Sequence, residues 1–235
     1  MEQHSKLKSI IFHLYPGLII VLFFGLSTPY FLKLGLPPQL SMLTAILVVV
    51  IPLFLIHLNQ ARKLEKKESI RELISYTNEL PTARLIGYVA GLIVFAFLVY
   101  GLTQPLNVII SNKLLFWLPE WYKVQDFTGY SKTIILITLL INLIFNGLIA
   151  PFLEEIYFRG YLLPRMRNWG NFAPLVNTIL FSLYHFWQPQ IYLTLMIALF
   201  PMTYLVWKTR SLKLGIYTHC GLNIIGAILS FGLIN

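Results

Sequence analysis

Three clusters in the second half of this chain carry residue types, at telling spacings, that the hydrolysis of an amide would need. The first is Ala150-Pro151-Phe152-Leu153-Glu154-Glu155-Ile156-Tyr157-Phe158-Arg159-Gly160, the second Phe181-Ser182-Leu183-Tyr184-His185, and the third His219-Cys220-Gly221-Leu222-Asn223. On a helix, residues four apart stand one above the other, so Glu155 can pair with Arg159, and His219 and Asn223 point at one place. Glu154 is rotated by about 100° from Glu155 and need not share that partner. Asn142, Asn146, Ala150 and Glu154 recur every four residues, a polar stripe that should face the interior of a bundle. His185 stands on an otherwise apolar helix, in register with Asn177 and Phe181.

A carboxylate, two imidazoles and a carboxamide suit this chemistry. Glu154 would take a proton from water, and His185 would position that water or share its proton. His219 and Asn223 would donate hydrogen bonds to the developing oxyanion. The same inventory could hold a metal, because two His and one carboxylate with an open fourth position make a catalytic zinc site; Glu154, His185 and His219 would be its ligands. Each cluster alone also has a structural reading: a self-paired helix end, an interhelical hydrogen-bond partner, or packing glue. Three on three different helices argue against coincidence. His4, His13 and His57 fall at the edges of the first two apolar runs and are expected to be interfacial, while Cys220 lies about 100° off the His219–Asn223 edge and is expected to pack as a small residue.

The elements that must position these groups follow from composition. Of 235 residues, 57% are hydrophobic and only 11% charged, with a mean hydropathy of +0.72. A soluble domain carries roughly 25% charged residues, and a chain this apolar cannot stay solvated as disordered polymer. The single Cys220 excludes a disulfide scaffold. A polytopic membrane protein remains, an all-α bundle. Apolar runs long enough to span lie near 10–32, 39–58, 84–104, 131–153, 173–189, 190–207 and 213–234. The first follows Lys6 and Lys8 like a signal peptide, but it is too long and lacks a small-residue cleavage site, so it is expected to be a retained anchor.

Two polar segments stand out. Residues 59–83 should form an amphipathic surface helix, with Glu68 and Glu72 at helical spacing, ended by Pro81. Residues 105–130, with Trp117, Trp121 and Tyr122, should form an interfacial loop held by an aromatic belt. Fourteen of the 18 Lys and Arg then fall on one side: Lys6 and Lys8, the six between Arg62 and Arg84, Arg159, Arg165, Arg167, Lys208, Arg210 and Lys213. Lys33, Lys113, Lys123 and Lys132 fall on the other. Seven spans with a cytoplasmic N-terminus fit the positive-inside rule at every turn. The net charge of +9 is therefore a topology signal, and no nucleic acid partner is expected.

At the three clusters the chain resembles the CPBP family of intramembrane proteases, which includes type II CAAX prenyl endopeptidases (Rce1-like) and bacterial Abi or bacteriocin-immunity proteins. Glu154-Glu155-x-x-x-Arg159, Phe181-x-x-x-His185 and His219-x-x-x-Asn223 carry the family's motifs in order, and Phe158-Arg159-Gly160 fits its usual form. The resemblance covers roughly 131–234. It implies that Glu154 activates the attacking water, that His185 assists, and that His219 and Asn223 form the oxyanion hole. It also implies that Glu155 and Arg159 are supporting residues that orient the first glutamate. The family has been classed both as zinc-dependent and as metal-free; Asn223 is a good oxyanion donor and a poor zinc ligand, which favours a mechanism without a cofactor.

The expected organisation is residues 1–130 as N-terminal transmembrane helices, with the linker 59–83 and the loop 105–130, and 131–235 as the catalytic bundle. The expected partners are the bilayer and a membrane-associated protein or peptide, such as a prenylated CAAX protein or a peptide precursor. The expected location is a bacterial cytoplasmic membrane, with a water-filled cavity opening to the cytoplasmic half. Two other classes fit less well. A non-proteolytic scaffold or immunity protein has no need of Glu154 and His185 together, and a transporter would be expected to show paired repeats.

Overall fold

The computed structural model describes residues 2–122 and 126–234. Within them the chain runs through seven principal helices: α1 (Lys6–Lys33), α2 (Pro38–Leu64), α3 (Thr82–Leu114), α4 (Lys132–Arg165), α5 (Ala173–Tyr184), α6 (Pro189–Thr209) and α7 (Leu212–Ser230). No strand forms among the described residues beyond one isolated bridge between Thr77 and Ser211. Local chemistry starts several of these helices. The Ser5 and Ser131 hydroxyls accept the backbone N–H of Lys8 and Ile134, satisfying donors that a helix start leaves over. Pro38 and Pro174 sit in first turns, where a missing N–H costs nothing. Gly35, at φ +71°, makes the turn between α1 and α2.

Six of the helices are long and apolar enough to cross a membrane. The seventh expected span, 173–189, is shorter: α5 has 12 residues and stops at His185. From the basic end it reaches only the depth of the glutamates, and the connection after it continues toward the other end. Before it, His4 N donates to Arg165 O and Asn168 to His4 O. Around the same end, Ser75 N donates to Gly160 O, Asn78 N to Arg210 O and Leu212 N to Tyr76 O. After α5, the Tyr122 hydroxyl donates to Phe186 O, at the end where Tyr130 reaches Leu36 O. The first end gathers the Lys- and Arg-rich segments, and the second is charge-poor. Lys123, expected on the charge-poor side, lies outside the described residues, as does that part of the loop 105–130.

Several expectations change. The fourth span does not end at residue 153; α4 continues for eleven residues past Glu154 to Arg165. Charges that looked like an exit from the bilayer are paired inside the protein, so the helix has no reason to stop. Glu154 therefore lies about 16 Å below the Arg165 end, close to the roughly 18 Å that separates Ala173 from His185 along α5. Pro105 does not end α3, which runs on to Leu114; a proline inside a membrane helix is tolerated where the freed carbonyl finds another donor. Trp121 and Tyr122 pack their rings on Phe24, at centroid distances of 5.6 and 5.7 Å, while Trp117 is exposed.

The segment 59–83 is not an amphipathic helix up to Pro81. α2 ends at Leu64, a short turn spans Ile70–Leu73, and the chain then extends through the Thr77–Ser211 bridge. Backbone partners on α4 and beside α7, far away in sequence, outcompete the local helix there. His4 and His13 are buried and not interfacial. His13 bridges Ser9 O and Asn177, and His57 accepts or donates to the hydroxyls of Tyr15 and Tyr157. Internal partners 42 to 164 residues away replace the water that an interface would supply. Phe24 and Phe54 from the first two helices share one core with Tyr157, Phe158, Phe181 and Tyr184.

Candidate active site

The residues singled out in sequence come from three helices. Glu154, Glu155 and Arg159 sit on α4, His185 caps the end of α5, and His219 and Asn223 lie in the middle of α7. Two π-helical stretches, Phe145–Ile149 and Glu155–Leu162, flank the glutamates. Such stretches widen a helix locally and recur at functional sites. The polar stripe holds through them: Asn142, Asn146, Ala150 and Glu154 all line one cavity.

Glu155 and Arg159 are fully buried and 3.2 Å apart (Oε1 to Nη1). Arg159 donates from Nη2 to Thr203 Oγ1 at 3.3 Å and lies 3.8 Å over the Phe181 ring. Glu155 Oε1 also accepts His219 Nδ1 at 2.9 Å. The expected service of this pair to the first glutamate is thus not the contact observed: Glu155 fixes the ring of His219. Glu154 takes another partner, the Tyr184 hydroxyl, which donates to its Oε1 at 3.1 Å. Its Oε2 stands 3.9 Å from His219 Nε2. Tyr184 was not singled out in sequence, although it stands beside His185. Only the fold brings it to Glu154, 30 residues earlier.

His185 Nδ1 donates to Phe181 O at 2.8 Å, a bond that fixes the tautomer and leaves Nε2 as an acceptor. Among the described residues it makes no hydrogen bond to Glu154, but both line the same cavity. Asn223 donates one amide hydrogen to Asn146 O at 2.8 Å and retains a second. Two glycines permit this convergence. A Cβ on Gly215 would stand 2.6 Å from Glu155 Oε2, so only glycine lets α7 lie on that carboxylate. A Cβ on Gly17 would overlap the carbonyl of Tyr184, which makes α1 a direct support of the segment that bears Tyr184 and His185.

The cavity has a volume of about 600 Å³, with Glu154, His185, His219 and Asn223 on its wall. Its lining comes from the charge-poor halves of the helices: the start of α2, the second half of α3, the α5–α6 connection and the later turns of α7. The cavity therefore opens away from the basic end, opposite to the expected direction. The reason lies in the layer above Glu154, where Glu155, Arg159, Thr203 and the 75–78 segment close the basic side. No three His, Cys, Asp or Glu side chains among the described residues form a group that could hold a metal ion. His219, whose Nδ1 is engaged by Glu155, keeps its Nε2 3.9 Å from Glu154 Oε2.

Residues 136–225 match the family model described as Type II CAAX prenyl endopeptidase Rce1-like. No curated protein and no solved structure matches the chain.

Proposed function

With residues 136–225 as an Rce1-like domain of a CAAX-protease family in a polytopic helical bundle, we propose that the protein is an intramembrane endopeptidase acting by glutamate-activated water. The observation that carries this reading is the meeting of Glu154, His185, His219 and Asn223, from three helices, on one buried cavity. Glu154 takes a proton from a water in that cavity, oriented by the Tyr184 hydroxyl on its Oε1. His185 Nε2, the acceptor left by the Phe181 bond, holds the same water from the other side. The hydroxide adds to the scissile carbonyl. Asn223 donates its remaining amide hydrogen to the resulting oxyanion, and a His219 ring held at Nδ1 by Glu155 and carrying a second proton donates Nε2–H. Glu154 then returns its proton to the leaving amine. Every step uses this chain's own residues and no cofactor.

The substrate class is a membrane-associated protein or peptide, since the site lies within the bundle. The basic end is cytoplasmic by the positive-inside rule, with the N-terminus on that side. The test compares peptides released from membranes carrying the wild-type chain or Glu154→Ala, by mass spectrometry. A set of new termini that disappears in the variant is expected, with a loss of at least about 100-fold; identical sets would refute the protease. In the same assay a strong chelator should leave cleavage unchanged. Activity that it abolishes and zinc restores would overturn the metal-free mechanism.

A further inference from the structure

The cavity carries information about what enters it and from where. Among the described residues its lining holds eight carboxamides, with Glu154 the only acidic side chain and no Lys or Arg. Gln39, Gln104, Asn107, Gln188 and Gln190 stand toward the charge-poor mouth, where Ser230 ends α7. Two of these polar groups are buried with an atom unpaired. Gln39 gives its Nε2 to Asn142 and keeps an Oε1 without a partner; Asn107 accepts Thr194 at Oδ1 and keeps an Nδ2 without one. Both residues are about 95% buried. A buried unpaired donor or acceptor is costly, and here one of each is left on the wall of a cavity that also bears the candidate hydrolytic groups. A carboxamide presents one donor group and one acceptor, the complement of a peptide unit. Away from Glu154 and His219, a free carboxylate or ammonium would find no opposite charge among the described wall residues, and burying it unpaired would be prohibitive.

Resting on the protease reading, we infer that the substrate is an internal, uncharged peptide segment that enters from the charge-poor face, its backbone amides met by the cavity carboxamides. With the basic end cytoplasmic, that face is extracytoplasmic. The class is then a peptide or membrane protein presented from the outer leaflet, cut away from its charged termini.

Sidedness can be read without activity. Gly226 lines the cavity, and a Cβ there meets nothing within 4 Å. In a Cys220→Ala background, Gly226→Cys should react with a membrane-impermeant maleimide in intact spheroplasts. Glu79→Cys, at the basic end, should react only in inverted vesicles. Gly226→Cys labelled from the same side as Glu79→Cys, or from neither side, would overturn the inference. For the class, an acetylated and amidated peptide spanning a Glu154-dependent cleavage site is assayed with the full chain in detergent. One Lys or Glu placed beside the scissile bond should lower kcat/KM at least tenfold, and Gln39→Leu should raise KM severalfold with kcat held. Equal rates for the charged peptides would overturn the substrate class. Absence of any Glu154-dependent cleavage would refute the protease itself and leave the labelling result to decide the direction of opening.

Discussion

At its basic end the chain is laced shut by main-chain bonds between segments far apart in sequence, whereas at the charge-poor end the helices stand apart around a cavity. His4 to Arg165, Ser75 to Gly160, Asn78 to Arg210 and Leu212 to Tyr76 tie the first end together. Its interior holds ion pairs: Glu155 with Arg159, and Glu65 with Arg165 at 2.7 Å. The other end is tied by side-chain hydroxyls, such as Tyr122 on Phe186 O, and leaves polar atoms of Gln39 and Asn107 unpaired. The candidate catalytic groups sit where the two regimes meet. The contrast teaches that rigidity is supplied from one side and access from the other, so stability and activity should separate on substitution.

The largest effect on stability is expected from Arg159→Ala, which leaves Glu155 charged and buried with only His219 beside it. Breaking one partner of a buried pair costs about 3–5 kcal/mol, and thermal unfolding in detergent should show it; an unchanged midpoint would mean that the sealed layer does not hold the bundle. Next comes Gly17→Val, a wedge driven between α1 and the Tyr184 carbonyl. Overpacking of this kind costs about 1–3 kcal/mol, and it should lower kcat as well, because the displaced segment bears Tyr184 and His185. Stability lost with kcat intact would uncouple α1 from the site.

Tyr184→Phe should sharpen the contrast from the open side. Removing one hydrogen bond to a carboxylate is worth about 1.5–3 kcal/mol, expected here as a kcat lowered roughly tenfold or more with the unfolding midpoint little changed. The smallest effect is assigned to Glu79→Ala. Glu79 is solvated, and its hydrogen bond and charge pairing with Lys213 hold its carboxyl below the usual range. Such a depressed carboxylate contributes stability above its unfolded value and loses it as pH falls through the lowered one. On an exposed pair the contribution should be too small to separate variant from wild type in unfolding at neutral pH; a clear loss would extend the sealed layer to the surface.

Much of this arrangement was legible in sequence because it is written in local spacing. Hydropathy located the six long helices but read α5 as a seventh span, and the Lys and Arg distribution sorted the two ends. The three motifs pointed to residues that do converge: Glu154, His219 and Asn223 on one wall, with Glu155 and Arg159 behind. What was hidden depends on pairing over long separations. The Glu155–His219 bond spans 64 residues and the Tyr184–Glu154 bond 30, and neither leaves a local trace. An ion pair inside the protein looks in sequence like a charge in water, so α4 was expected to end twelve residues too soon, and the cavity was placed on the wrong side. Histidines at helix edges read as interfacial for the same reason.

The bridge between Thr77 and Ser211 also sets an order of events in biosynthesis. Its two sides are separated by 134 residues, with α3, α4, α5 and α6 between them. Ser75 meets Gly160 once α4 is in place, but residues 76–78 must wait for Arg210–Leu212, after α6. His219, which ties Glu155 in place, arrives later still, on the last helix. A nascent or truncated chain lacking α7 holds its glutamates without their imidazole partner and its basic end unlaced. Assembly of the candidate site is thus tied to the insertion of α7, and the grouping of its side chains cannot form before that helix arrives.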